Sequence, residues 1–374
     1  MKIKILTLFP EMIRPVLESS ILGRAIKNGY ISVELIDVRD YAENKHKNAD
    51  DYPFGGGAGM VMLPQPIVDA IEQNAEPGMR RVYMSPRGRT LTQKVVEEYA
   101  KLDSLLLLCG HYEGVDQRAL DMCIDEELSV GDYVLTGGEL GALVTVDAVA
   151  RLIPGVLGSD ESGEDESFTT GLLEYPQYTR PADFRGQQVP AVLLGGNHKD
   201  ILAWRRYESL RLTRTRRPEL LETAPLTDED RETLRKFDVA DKMAEDLAAR
   251  GIQARRMDLF EENAYAKAWF ARFVPSENRA AAKKMCFSGR RHVGYLYQAF
   301  ERGYASAVPD EDALDKISGD AVLYLNRDNV ALIIDHAENM ARLPAFSLLT
   351  ASDMTWTIAV SGKGEIYRYS REEM

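Results

Sequence analysis

Residues 124–158 read IDEELSVGDYVLTGGELGALVTVDAVARLIPGVLG. An acidic cluster leads into a short run of mixed polarity, Ser129 to Leu135, which stops at Thr136-Gly137-Gly138. Apolar residues then recur at helical spacing through Leu140, Leu143, Val144, Val146 and Val149. Two glycines ahead of a helix N-terminus free backbone amides to face a ligand's polar atoms. A tight strand-to-helix turn with no ligand explains the same residues, and this stretch alone leaves both readings open.

Working outward, residues 2–8 (KIKILTL) and 31–38 read as strands, with a helix over residues 15–28 between them that ends at Gly29. Residues 40–60 form a long loop, charged first and glycine-rich second, of a length usually tied to function or disorder. A short helix (67–73), a strand (81–84), a helix (93–102) and the fully apolar strand SLLLLC (104–109) follow. Strands alternating with helices, with continuous apolar runs in the middle strands, predict an α/β domain with a parallel sheet. Such sheets take ligands at the C-terminal ends of their strands. Residues 158–171 (GSDESGEDESFTTG) have no period and read as a linker, and residues 197–249 read as helices, with Thr227 as an N-cap. From about Arg255 a third region carries an aromatic helix (Phe260, Tyr265, Trp269, Phe273), a second helix near 293–300, and strands at 321–325, 330–334, 355–360 and 365–369. Its pattern is α+β, and its aromatics at helical spacing fit a core better than a base-stacking platform.

The chain has 374 residues, enough for two or three domains, with 45% apolar and 28% charged residues as in ordinary globular proteins. No apolar run reaches the roughly 20 residues that span a bilayer, and no signal-peptide pattern opens the chain. Cys109, Cys123 and Cys286 give neither a disulfide framework nor zinc spacing, so a reducing cytoplasm is expected. The net charge of −13 excludes generic nucleic-acid binding. Locally, however, residues 199–217 hold seven basic side chains (Lys199, Arg205, Arg206, Arg211, Arg214, Arg216, Arg217) against Asp200 and Glu208, with Trp204 and Tyr207 interleaved. Either a solvated helix face or an RNA-phosphate surface fits that run, and its single sign and arginine content favour RNA. Arg80, Arg81, Arg87 and Arg89 make a second, smaller group. Residues from Asp246 onward are near neutral, 17 basic against 18 acidic, and give no such hint.

Taken with residues 109–114 (CGHYEG), 51–60 (DYPFGGGAGM), 173–181 (LEYPQYTRP), 195–198 (GGNH) and 216–220 (RRPEL), the opening stretch resembles the bacterial tRNA (guanine-N1)-methyltransferase family, from Met1 to about Ala240. The resemblance implies a SPOUT-type fold, a parallel sheet tied in a trefoil knot near residues 83–88, 109–114 and 129–141. It also implies a division into a methyltransferase domain (1–158), a linker (159–174) and a helical tRNA-binding domain (175–249). Residues 250–374 lie outside it as an appended α+β domain.

The activity so implied is S-adenosylmethionine-dependent methylation of N1 of guanosine at tRNA position 37, by a cytoplasmic homodimer whose site draws on both chains. Family members are typically magnesium-dependent, and no protein metal site is expected here. Matched position by position, the methyl-donor loops are Tyr83, Met84, Ser85 and Pro86; Gly110, His111, Tyr112 and Glu113; and Val130, Gly131, Asp132, Tyr133, Val134, Leu135, Gly137 and Gly138. Apolar Val130, Val134 and Leu135 suit an adenine, with loop amides for its ring nitrogens. His111 stands where the family usually has arginine, and Gly141 where proline is often found. Arg151 matches the catalytic arginine, although by its position alone it could be a helix-dipole partner. The general base falls on Glu166 in a gapless count, where the family has aspartate, with Asp165 one residue earlier; both stay open. Asp50 and the glycines Gly55, Gly56, Gly57 and Gly59 match the target-guanosine loop, and they lack the Lys-Ser/Thr of a phosphate-binding P-loop. Asn197, His198, Arg205, Arg206, Arg214 and Arg217 are the remaining expected tRNA contacts. Two other readings compete: a non-catalytic RNA-binding or regulatory protein on this fold, and a SPOUT methyltransferase with another RNA target.

Overall fold

A computed structural model describes residues 1–157, 166–287, 296–305 and 307–370. The chain divides into two compact units, Met1–Thr169 and Thr170–Met374.

The first unit runs β1 (Lys2–Thr7), α1 (Pro10–Leu17), α2 (Ser20–Lys27), β2 (Ser32–Asp37), β3 (Asp50–Asp51), β4 (Val61–Met62), α3 (Pro64–Asn74), β5 (Arg80–Thr90), α4 (Gln93–Ala100), β6 (Ser104–Cys109), α5 (Gln117–Cys123), β7 (Glu126–Ser129) and α6 (Glu139–Arg151). Five strands form one sheet in the order β2-β1-β6-β5-β7, and every pairing is parallel. Alternation along the strands buries both faces. Ile3, Ile5, Leu105 and Leu107 face α1, α2, α4 and α6, while Leu6, Leu106 and Leu108 face α3 and α5. The parallel α/β expectation holds. The single helix expected over 15–28 is instead two, because Pro15 lies in the last turn of α1 and the chain turns before Ser20. β5 also extends well past the expected 81–84. Its register against β7 jumps between Met84 and Arg89, so residues 85–88 bulge out of the sheet and the strand then rejoins the same partner.

The second unit begins with a small hairpin, β8 (Asp183–Phe184) and β9 (Gln187–Gln188), then α7 (Ala191–Leu194), α8 (His198–Arg216) and α9 (Asp228–Ala248). Thr227 caps α9 in a capping box with Asp230. There follow β10 (Ala254–Arg256), α10 (Leu259–Phe273), α11 (Arg279–Cys286), α12 (Leu296–Glu301), β11 (Val308–Pro309), β12 (Ala321–Leu325), β13 (Val330–Ile334), β14 (Ser347–Ala351), β15 (Trp356–Val360) and β16 (Ile366–Ser370). These strands make a seven-stranded antiparallel sheet, β10-β13-β12-β14-β15-β16-β11. One face packs on α10–α12 through Tyr265, Trp269, Phe273, Val322 and Tyr324. The other packs on Ala240 and Leu247 of α9 through Leu323, Leu325 and Leu332. The region similar to the family and the region beyond it therefore share a core.

Among the described residues, no helix is long and apolar enough to cross a membrane, and Cys109, Cys123 and Cys286 are buried free thiols.

Candidate active site

Because the sheet is parallel, β5, β6 and β7 deliver their C-terminal ends to one side. The loops that leave them enclose a cleft of about 710 Å³, open solvent at its mouth included. Tyr83, Met84, Ser85 and Pro86 come from the β5 bulge; Gly110, His111, Tyr112 and Glu113 follow β6; Val130, Gly131, Tyr133, Val134, Leu135, Gly137 and Gly138 follow β7. Of the expected methyl-donor residues, Asp132 alone does not line the cleft; it points to solvent. Gly114, Leu128, Ser129, Thr136 and Gly141 complete the wall.

Backbone stitches the loops together. The Gly138 amide donates to the Gly110 carbonyl at 2.8 Å, and His111 and Gly137 form a β-bridge. A Cβ on Gly138 would lie 2.7 Å from Cys109 Cα and 3.0 Å from the Gly110 nitrogen, so only glycine permits this approach. The lining is mostly apolar side chains and exposed backbone, which suits a flat heteroaromatic group with ring nitrogens to satisfy. Burial, then the nearby Glu139 carboxylate, pushes the Cys109 thiol well above its usual range and keeps it protonated.

The glycine-rich loop reaches the lip of this cleft. Glu113 donates its amide to Met60 at 2.9 Å, Met62 donates to Gly114 at 2.9 Å, and Asp50 pairs with Met62 across β3 and β4. Gly59, with φ of 90°, abuts Glu113 so closely that a Cβ would fall 2.5 Å from the glutamate side chain. Gly55, Gly56 and Gly57 are exposed further out. Tyr52 and Phe54, 78% and 99% exposed, flank them. Sequence reasoning passed over this pair, although two aromatics inside a polar, glycine-rich loop have no core to serve and could have been singled out.

Arg151 and Glu166 sit elsewhere in the first unit. The guanidinium donates to the carboxylate in a half-buried ion pair, beside Gln93, Asp147, Leu152 and Thr169. Asp165 lies outside the described residues. Gly138, in the cleft, and Arg151 bracket α6, and at 1.5 Å per residue they are about 20 Å apart along the helix. Within one chain, then, the cleft and this pair are separate. Between them α6 exposes Leu140, Val144 and Asp147, one stripe at helical spacing, and α1 exposes Met12 and Val16.

The arginines of the second unit are mostly engaged. Arg206 binds Asp230 in a two-pronged pair (3.0 and 2.7 Å), Arg211 binds Glu208, Arg214 binds Asp238 and Asp241, and Arg217 pairs with Glu219. Burial would raise the Asp230 carboxyl, but Arg206 and the Thr227 amide together hold it below its usual range. Arg205 stacks over Tyr175 at 4.7 Å, and Asn197 caps α8 by accepting from the Lys199 amide, with His198 next to it on the surface. Two of these arginines, Arg206 and Arg214, are thus met by acids of α9, which residue counting along α8 could not reveal. Lys199 and Arg216 keep no ion-pair partner among the described residues. The smaller group is likewise paired: Arg80 with Glu126, Arg81 with Asp125, Arg87 with Glu127 and Arg89 with Glu98. Among the described residues, no group of three or more His, Cys, Asp or Glu is placed to hold a metal ion.

A parallel sheet with three glycine-punctuated loops closing one cleft at its C-terminal strand ends defines an α/β protein with a ligand-sized site. The family described as tRNA (Guanine-1)-methyltransferase TrmD matches residues 1–223, and the chain belongs to it. Curated relatives named tRNA (guanine-N(1)-)-methyltransferase are similar over the same region. That of Geobacillus kaustophilus is 56% identical over 240 residues, covering 64% of this chain and 98% of its own length. That of Halalkalibacterium halodurans is 56% identical over 237 residues (63% and 96%), and that of Pediococcus pentosaceus 52% over 245 residues (64% and 100%).

Proposed function

We propose that the protein methylates N1 of guanosine at position 37 of tRNA, using S-adenosylmethionine bound in the three-loop cleft, as a cytoplasmic enzyme. The observation that carries this is the coincidence of family membership with a cleft built from the β5, β6 and β7 loops. The cleft fits the methyl donor: apolar Val130, Val134 and Leu135 line it together with Gly110, Gly137 and Gly138. The double pairing of β5 with β7 around residues 85–88, together with the Gly138–Gly110 bond, supports reading this region as a trefoil knot.

S-adenosylmethionine supplies an electrophilic methyl group, whose bond to sulfur breaks as N1 bonds to carbon. Glu166 would take the N1 proton, a step worth about 10²- to 10⁴-fold, and Arg151 would donate to O6 as charge builds there. Asp165 remains the alternative base. Gly59 and its neighbours, at the lip, would let a flipped guanine come close to backbone, with Tyr52 and Phe54 offering faces on which to stack.

The roughly 20 Å between cleft and Arg151 favours a homodimer, in which one chain's cleft meets the other chain's Arg151 and Glu166. The exposed apolar stripe of α6 and the exposed Met12 and Val16 of α1 would be covered in that arrangement. Methyl transfer to a tRNA transcript with guanosine at 36 and 37, run with and without magnesium, should proceed. A transcript changed at 37 should not be modified. Binding of the adenosyl ligand without transfer to either RNA would favour a regulatory protein on this fold, and transfer to both would favour another RNA target.

A further inference from the structure

Behind the cleft, a buried carboxylate joins elements that the loops alone do not. Glu139, the first residue of α6, is 2% exposed. Its Oε1 accepts from the fully buried Thr7 hydroxyl at 2.7 Å, and that hydroxyl accepts from the Phe9 amide at 2.9 Å. On the other side lies His111, whose ring packs against Phe9 (centroids 4.8 Å apart) and Tyr112 (4.9 Å). Arg39 covers the far face of this stack at 5.1 Å from the Phe9 ring. His111 Nδ1 is buried and has no hydrogen-bond partner. A Cβ on Gly137 would lie 2.3 Å from Glu139 Oε2 and 2.7 Å from His111 Nδ1, so the two atoms are at most 5.0 Å apart, with only a glycine between them.

We propose that Glu139 and His111 are positioning residues: across Gly137 they hold the loop after β6 and the loop after β7 at the spacing the methyl donor needs. This rests on the cleft being the S-adenosylmethionine site. A buried polar atom without a partner costs free energy, and a buried carboxylate close by can offset that cost by a small ring movement. Loop closure on the ligand would bring Nδ1–H onto Oε2, while Thr7 anchors the other oxygen to the end of β1. Because the pair acts by spacing the two loops, it should govern ligand affinity and leave the chemical step alone.

The test is calorimetric binding of S-adenosylhomocysteine without RNA, followed by steady-state kinetics and melting curves. Glu139→Gln should raise both the Kd and the KM for S-adenosylmethionine by about tenfold, the size of one lost charged hydrogen bond, with kcat at saturation and the melting temperature near wild type. His111→Asn, which keeps a donor near the Nδ1 position, should bind within about threefold of wild type, whereas His111→Leu should match Glu139→Gln. The double variant Glu139→Gln/His111→Leu should be no weaker than either single one. Should Glu139→Gln not fold, Thr7→Val, which frees the carboxylate from its anchor, should give the same affinity loss in smaller measure. Unchanged affinity in these variants, additive losses, or affinity that merely tracks a fall in melting temperature with no difference between Asn and Leu at 111 would overturn the proposal. Failure of the wild-type protein to bind S-adenosylhomocysteine would instead overturn the reading of the cleft.

Discussion

In the five-stranded sheet of the first unit every pairing is parallel, so β5, β6 and β7 all release their loops on one side, where these converge on the cleft. In the second unit the sheet is antiparallel, its strands joined largely by short connections, and helices cover both faces. The polar groups follow the same division. At the cleft wall, His111 Nδ1 is buried without a hydrogen-bond partner. In the second unit arginines meet aspartates, Arg256 lies 4.0 Å over Phe237, and buried Thr350 and Thr357 bond each other at 2.7 Å. The cleft wall keeps a buried polar atom unmatched, while the α8–α9 contact of the second unit is matched charge to charge.

The sharpest way to break that contrast is at the ion pair of the first unit, which looks as settled as any in the second. Glu166→Gln should lower turnover by roughly 10²-fold or more, as for loss of a general base, with S-adenosylhomocysteine affinity unchanged. Asp165→Asn should cost far less. The reverse outcome in single-turnover methyl transfer would move the base one residue back and make the Arg151–Glu166 pair structural.

Glu262 tests the second unit. Burial pushes its carboxyl up to about 7, against the opposing pull of Lys236 and the Ala331 amide. A folded-state pKa above the unfolded one means that its contribution is full below about pH 4.5 and is lost as pH rises through about 7. Melting temperature should therefore fall between pH 5 and pH 8, by several degrees for a loss of up to about 3 kcal/mol. Glu262→Gln should flatten the profile; an unchanged slope would assign it to other groups.

Arg206 and Arg216 sharpen the comparison within one helix. Arg206→Ala strands the buried Asp230 and should destabilise the protein by about 2 kcal/mol in urea unfolding. Its loss of tRNA binding should be no greater than the loss of folded protein explains. Arg216→Ala should leave stability alone and weaken tRNA binding by about threefold, with a shallower salt dependence. Equal effects of the two on RNA affinity would show that the α8–α9 ion pairs open to meet phosphate.

Much of the first unit was legible because its signals are local. SLLLLC is a buried parallel strand by composition alone, and Thr136-Gly137-Gly138 before an apolar helix marks a strand-to-helix turn by its own residues, though not whether a ligand faces it. The aromatic spacing of Tyr265, Trp269 and Phe273 gave the core face of α10, and the strands 321–325 and 330–334 stand where their apolar runs put them. What escaped depended on partners distant in sequence. Nothing in residues 80–90 announces that β5 leaves β7 and returns to it. Nothing along α8 shows that Asp230, Asp238 and Asp241 will answer its arginines. Residues 347–351 (SLLTA) also form a strand, no shorter than those that were read, and sequence reading passed over it.

The strand order β2-β1-β6-β5-β7 also has a bearing on how the molecule comes into being. β1 lies between β2 and β6, so Ile3 meets Val33 on one side but waits for Leu105 on the other. β5 must likewise wait for Glu126. During synthesis the first strands emerge with most of their partners still unmade, and pairings of such long range form slowly. The ligand cleft, made by the last strands of that sheet, would be among the final parts of the first unit to appear. An emerging chain would thus gain its binding site only once nearly the whole first unit had left the ribosome, and until then its apolar strands would lie open to chaperones.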